Sequence, residues 1–142
     1  MTTAAGSTTF FVTDRDSQSG ASVVVEDDGR VCYAYFLSAA GEVLADVWLY
    51  NRCKAPAEPE WTDRERAPFA NPSDFVLGAP DFELPETSTD IGFMWSRNER
   101  GEACATILSR GRVVGKLHAG SKPGWARAAA KDGPLAKVLL EQ

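Results

Sequence analysis

The sequence predicts a mainly β fold in one domain over 1–142: two related antiparallel three-stranded meanders, forming a sandwich or partly closed barrel, with one or two short C-terminal helices. Runs rich in β-branched and aromatic residues alternate apolar with polar positions, which is typical of strands. Glycines separate these runs at the spacing of hairpin turns. The length of 142 residues fits a single domain.

The first meander is predicted within 20–50. Its three strands are expected at 22–26, 30–38 and 43–50. Gly29 and Gly41 lie between them and tolerate the positive φ of a tight hairpin turn. The run at 8–13 predicts one earlier strand, so the sheet would have three or four strands.

A proline-rich connection follows over 51–89 and holds six of the eight prolines. Loops of this length are uncommon in compact domains unless they are functional or disordered. Because aromatic residues recur along the segment, we expect it to pack on the sheets as a cover. A capping box at 62–65 predicts a helix of one or two turns, ended by Pro68, and 75–77 reads as a short strand.

The second meander is predicted within 90–118. Its strands are expected at 91–96, 102–109 and 112–118. GEAC at 101–104 resembles GRVC at 29–32, which suggests an internal repeat; the alternative is chance similarity between hairpins of like composition. Between cysteine and leucine the second copy is one residue shorter, so superposition requires a bulge or a deletion.

The tail at 121–142 is predicted to be helical. Good helix formers occupy 126–131 and stop at Gly133, and Pro134 suits the first turn of a second helix over 135–141. We expect the apolar residues of this second helix to cover one side or an open edge of the sheet.

Charge is unevenly distributed along this acidic chain, whose net charge is −5. Residues 1–96 carry 6 Lys and Arg against 16 Asp and Glu, whereas residues 97–142 carry 9 against 4. An acidic protein is a poor nucleic-acid binder, since that affinity depends on clustered cations. The basic part either pairs with the acidic part, in the fold or in a dimer, or forms an anion-binding face; we favour pairing.

Location is predicted to be cytoplasmic, without a membrane association. No uncharged run approaches the roughly 20 residues of a membrane-spanning helix. The N-terminus lacks the basic and apolar regions of a secretory signal. Three widely spaced cysteines, Cys32, Cys53 and Cys104, suit reduced thiols.

Aromatic residues on the first meander supply the candidate ligand-binding or partner-binding site. The candidates are Tyr33, Tyr35, Trp48, Tyr50 and Trp61. Strand alternation places Trp48 and Tyr50 on one face, at the point where strand gives way to the proline-rich loop. The alternative is that these aromatic side chains belong to the core and Trp61 plugs the end of the sheet.

Catalysis has little support, and neither a catalytic residue, a metal ligand nor a cofactor is assigned. His118 is the single histidine, and no nucleophile can be paired with it from spacing. The cysteines and His118 do not show metal-site spacing. Carboxylates crowd one loop and could include an acid and base pair, although loop charges are usually solvated. They are Glu58, Glu60, Asp63 and Glu65.

Three functional hypotheses follow. The first is a non-catalytic protein-binding module that uses the aromatic sheet face, the acidic loop or both, with another protein or a second copy in a homodimer as partner. The second is a small-molecule-binding barrel with the proline-rich segment as its lid. The third is an enzyme that uses the loop carboxylates or His118.

Overall fold

The computed structural model describes residues 9–78 and 81–140, and in this part of the chain it contains two mostly antiparallel sheets that do not close into a barrel. The first sheet contains β1 (Phe10–Arg15), β2 (Ser22–Asp27), β3 (Val31–Leu37) and β4 (Val43–Asn51). The second contains β5 (Ile91–Arg97), β6 (Ala103–Ser109), β7 (Arg112–His118), β8 (Trp125–Ala126) and β9 (Lys137–Val138). The mainly β prediction is confirmed.

The first sheet is a meander in which each strand pairs with the next along the chain. The predicted strands at 22–26, 30–38 and 43–50 are confirmed to within a residue at each end. Gly29 and Gly41 adopt φ values of 89° and 90°, the left-handed region that a glycine enters without steric penalty. The strand expected at 8–13 forms as β1, and Thr8 lies outside the described residues.

The second sheet contains the second predicted meander as β5, β6 and β7, and two short strands extend it. The predicted strands at 91–96, 102–109 and 112–118 are confirmed. β8 pairs with β7 antiparallel, whereas β9 pairs with β8 in parallel. These last two strands come from the tail for which helices were predicted.

The helix prediction for the tail is wrong within 121–140, and Glu141 lies outside the described residues. Backbone groups of this segment pair with other parts of the chain: the Ala130 amide donates to Phe75 O at 2.8 Å, and Leu77 donates to Ala128 O at 2.9 Å. Helices this short are marginal alone, so tertiary pairing outweighs their propensity. The alanines instead provide small buried side chains; they are Ala126, Ala128, Ala129 and Ala136.

The proline-rich segment packs on the sheets, as expected, at several points of its described part, whereas residues 62–68 are exposed. Tyr33 donates its hydroxyl to Phe69 O at 2.7 Å, and the hydroxyl of Ser109 donates to Glu83 O at 2.7 Å. Phe82 joins the core. The expected helix is a single 3-10 turn at Arg64–Arg66, and the expected strand is reduced to a 3-10 turn at Ser73–Phe75 followed by one bridge, Val76 to Ala129.

The two sheets share one apolar core. Their facing side chains are fully buried and come from both meanders: Val25, Ala34 and Val47 on the first sheet, Ile107 and Leu117 on the second. Across the described residues, no helix has the length and apolar character needed to cross a membrane.

Ion pairs join the acidic and basic parts of the chain, which supports the expected pairing within the fold. Four arginines of the basic part contact carboxylates of the acidic part. The contacts are Arg97 to Asp16 (2.8 Å), Arg112 to Asp81 (2.8 Å), Arg127 to Asp81 (3.3 Å) and Arg110 to Glu83 (3.6 Å). The charge asymmetry along the sequence is therefore partly neutralised in space.

Backbone hydrogen bonds fasten β4 to the tail and so connect the two sheets. Asp46 donates to Ser121 O at 3.1 Å and accepts from the Gly124 amide at 2.8 Å, while Trp48 donates to Leu135 O at 2.9 Å. The chain approaches so closely that a Cβ at position 124 would lie 2.6 Å from the Lys116 carbonyl oxygen. Only glycine fits there without displacing backbone.

Replacing this glycine should destabilise the fold. For Gly124→Ala we expect a loss of about 2 kcal/mol or more in the free energy of unfolding, because overpacking against backbone cannot be relieved by a rotamer change. Urea unfolding, monitored by tryptophan fluorescence, measures the free energy of unfolding of each variant. Gly92→Ala is the control, since its Cβ would find Leu108 Cβ at 3.8 Å, an ordinary contact. Equal stability of the two variants would contradict the close approach.

Candidate binding groove

A β-bulge in β4 sends Trp48 and Tyr50 to opposite faces of the first sheet. Tyr33 pairs with Trp48, whereas Cys32 pairs with Tyr50, so Leu49 is the extra residue. Neighbouring residues of β3 point to opposite faces, and their partners do the same. The prediction that Trp48 and Tyr50 share a face is wrong, because simple alternation does not reveal a bulge.

Tyr50 points into the molecule, where it helps to satisfy a buried charge. Its hydroxyl donates to Asp27 Oδ2 at 2.6 Å, and Arg52 Nε donates to the same oxygen at 2.7 Å. Asp27 is only 1% exposed, so it depends on these donors. Burial raises the pKa of Tyr50 and keeps its hydroxyl protonated as a donor. Tyr50 thus has a structural role.

Trp48 points outward yet is fully buried. Its indole N–H donates to Asn51 Oδ1 at 2.8 Å. The same oxygen accepts from the Asn71 amide at 3.0 Å, and Asn51 Nδ2 donates to Asn71 O at 2.9 Å. The Asn51 side chain therefore pairs with the backbone of the proline-rich segment as a neighbouring strand would, and it also holds the Trp48 indole.

Trp61 lies in the loop, apart from the other candidates. Its half-buried ring meets Phe75 edge-on, with centroids 5.6 Å apart. This contact organises the proline-rich segment itself. Trp48, Tyr50 and Trp61 therefore lie in three different environments. Of the five candidate residues, Tyr33 and Tyr35 remain together on the outer face.

Tyr33 and Tyr35 line a groove of about 480 Å³ on the outer face of the first sheet. Their rings are nearly parallel, with centroids 6.2 Å apart and an interplanar angle of 13°. Both side chains are half-buried. The proline-rich segment and the tail form the walls. The other lining residues include Glu26, Asp28, Asp46, Pro68, Phe69 and Leu135.

Carboxylates flank the two tyrosines because of the strand register. Glu26 on β2 pairs with Tyr33, and Asp46 on β4 pairs with Tyr35. Burial raises the pKa of the Asp46 carboxyl, and the charge of Lys122 offsets part of that rise. Burial also raises the pKa of Tyr35 to about 12. The groove thus combines aromatic surface with negative charge.

The walls of the groove are held by hydrogen bonds. Buried Glu60 accepts from the Ala70 amide at 2.9 Å and forms an ion pair with Arg30. Arg30 also donates to Pro68 O at 3.2 Å. The opposite wall is fixed through Leu135, which accepts from the Trp48 amide at 2.9 Å. These bonds make the groove a preformed feature.

The acidic loop expected to contribute to binding does not line this groove. Glu60 is 4% exposed and serves the fold, while Asp63 accepts from the Glu65 amide at 3.1 Å and caps a 3-10 turn. The acidic residues in the groove are instead on the sheet. Asp46 could have been identified from alternation, which already places it on the same face as Trp48; the loop contribution of Phe69 carries no such signal.

A second groove, of about 370 Å³, crosses the outer face of the second sheet beside His118. Cys104 lies directly opposite His118 in the register. The His118 Nδ1–H donates to Ala119 O at 2.9 Å, since a carbonyl only accepts, and the imidazole packs on Trp125 at 5.5 Å. Burial raises the pKa of the Cys104 thiol. An activated nucleophile needs the opposite shift.

Within residues 9–78 and 81–140, no cluster of three or more His, Cys, Asp or Glu residues is arranged to hold a metal ion. The architecture is that of a mainly β protein with two sheets and a preformed groove on one of them. Comparison with known protein families, curated proteins and solved structures finds no match to this chain.

The role assigned to Glu60 is testable against its exposed neighbour. Glu60→Gln should lower the free energy of unfolding by about 1–2 kcal/mol, because a buried charge-assisted contact to Arg30 is lost. Glu58→Gln removes the same charge from an exposed position and should change stability by about 0.5 kcal/mol or less. Urea titrations measure both variants. Equal effects would rule out the structural role of Glu60.

Proposed function

We propose that this chain is a non-catalytic protein-binding module whose partner docks in the groove at Tyr33 and Tyr35. The observation that carries the proposal is the pair of half-buried, parallel tyrosine rings in a concave surface with fixed walls. Tyrosine offers a large apolar area and a polar tip, and it is frequent among the residues that dominate binding energy at interfaces.

Rigidity of the groove supports the proposal. A partner that docks on a preformed surface loses less conformational entropy than one that must order a loop. The Tyr33 hydroxyl is fixed by Phe69 O, whereas no hydrogen bond engages the Tyr35 hydroxyl within the described residues. Tyr35 is therefore the more available contact of the two.

A small-molecule ligand is the second candidate function. The volume of about 480 Å³ falls in the range of roughly 300–1,000 Å³ that is typical of ligand pockets. The space between the sheets is a poor alternative, because the side chains that face it are fully buried against one another. Any small molecule would then compete with the protein partner for the same groove.

The finer architecture belongs with these proposals. We propose a sandwich, supported by the shared core, and an internal duplication of the two meanders. The β3–β4 pair has a register shift between Phe36 and Leu37. The β6–β7 pair has one at the corresponding position, between Ile107 and Leu108. This correspondence extends the sequence similarity to backbone irregularities.

A displayed random-peptide library provides the test of protein binding. The purified chain should select peptides, and Tyr35→Ala should weaken the selected peptides by about ten-fold or more, as truncation of a central aromatic contact does. Met94→Ala is the control, since Met94 is 59% exposed on the second sheet and should leave affinity unchanged. Fluorescence anisotropy measures the dissociation constants.

Two results would contradict the proposal. One is the absence of any selected peptide; the other is a set of peptides whose affinity is the same for Tyr35→Ala and the native chain. Urea unfolding of each variant excludes a general loss of structure. Sedimentation at several concentrations identifies a second copy of the chain as the partner, in which case Tyr35→Ala should weaken self-association.

A further inference from the structure

We propose that the partner inserts an arginine side chain over the ring of Tyr35, between the carboxylates of Glu26 and Asp46. This inference rests on the proposed function and specifies the chemistry of the partner: a protein segment that carries an exposed arginine. The guanidinium group is planar, stacks on aromatic rings and binds carboxylates, so it matches both features of the groove.

Strand register places the two carboxylates on opposite sides of the tyrosines. Tyr35 lies on the central strand β3 and pairs with Asp46 on β4, while Glu26 on β2 pairs with Tyr33, two residues away. Strands that flank a central strand are roughly 10 Å apart, because neighbours are spaced by about 4.8 Å. A guanidinium group above Tyr35 therefore fits between the carboxylates.

Both carboxylates are available to a ligand. Among the described residues, neither Glu26 nor Asp46 accepts a hydrogen bond through its side chain or forms an ion pair. Asp28, which also lines the groove, differs: its Oδ1 accepts from the Arg30 and Val31 amides at 2.8 and 2.9 Å. The Asp28 side chain therefore stabilises the turn between β2 and β3, whereas the side chains of Glu26 and Asp46 make no such hydrogen bonds.

The Asp46 carboxyl is partly removed from water and has no hydrogen-bond donor among the described residues. The residue is half-buried, and burial raises the pKa of its carboxyl, which means that the ionised form is less favourable in the fold than in water. Lys122 offsets only part of this effect and does not line the groove. An arginine from a partner would bring the missing opposite charge to the carboxylate.

The arginines near the groove do not take this place. Arg30 is bound to Glu60 and Pro68 O, and together with Arg66 it lines an adjoining concavity that shares Pro68 with the groove. Neither lines the groove itself. Charge complementarity therefore points to a cation from outside the chain, and the aromatic surface points to arginine.

A matched pair of peptides tests the inference. The probes are an acetylated and amidated nonapeptide of glycine and serine with a central arginine, and the same peptide with citrulline, which has nearly the same shape without the charge. In NMR titrations of the full chain, the arginine peptide should shift the amides of Glu26, Tyr35 and Asp46. It should bind about three-fold or more tightly than the citrulline peptide.

Charge-neutral variants locate the effect. Glu26→Gln and Asp46→Asn should each reduce the advantage of arginine over citrulline by about three-fold, and Asp46→Asn should not lower stability. Glu99→Gln is the control, because it removes the same charge from an exposed residue outside the groove, in the β5–β6 turn. An equal effect of Glu99→Gln would reduce the result to net charge and overturn the inference.

The outcomes separate this inference from the proposed function. Equal affinity for the two probes, or no shift at Tyr35 at millimolar peptide, overturns the arginine site. Library peptides that require Tyr35 but lack arginine also overturn it, while protein binding at the groove stands. If the library peptides bind Tyr35→Ala and the native chain with equal affinity, the proposed function itself is contradicted.

Discussion

The backbone pairing between β4 and the tail is the constraint on which the rest of the structure depends. Asp46 uses both its amide and its carbonyl to bind the tail, at Ser121 and Gly124. This pairing requires glycine at 124, and it sets the tail along the edge of the first sheet. Leu135 consequently stands beside the outer face and becomes a wall of the groove. The site therefore depends on the junction that unites the two sheets.

The bulge at Leu49 then assigns different roles to aromatic residues only two positions apart. Tyr50 turns inward to the Asp27 carboxylate, while Trp48 turns outward and donates its indole N–H to Asn51. β4 is thus buried on both faces at its C-terminal end, and the opening on the outer face is restricted to the neighbourhood of Tyr35. A regular strand would have placed Tyr50 on the same outer face as Trp48 and away from Asp27.

The sequence was informative wherever local pattern decides structure. Strand runs and hairpin glycines predicted the two meanders, and alternation placed Tyr33 and Tyr35 on one face. Prediction from the sequence failed where distant contacts decide the structure: the alanines of the tail favour helix locally, yet their backbone pairs with Phe75, Leu77 and β7. For the same reason the sequence predicted the tyrosines on the floor of the groove but not its walls. The walls come from segments far apart in the chain, at Phe69 and Leu135.

The carboxylates of the first sheet fall into two groups, and this contrast bears on function. Asp27 is deeply buried, and donors meet it from Tyr50 and Arg52, as stability requires. Asp46 is half-buried two strands away, on β4, and has no such donors among the described residues. A fold optimised only for stability would replace Asp46 with a neutral side chain, because desolvation of an unpaired charge is unfavourable. A carboxylate without a hydrogen-bond donor beside an accessible aromatic ring is the feature that the proposed arginine contact would explain.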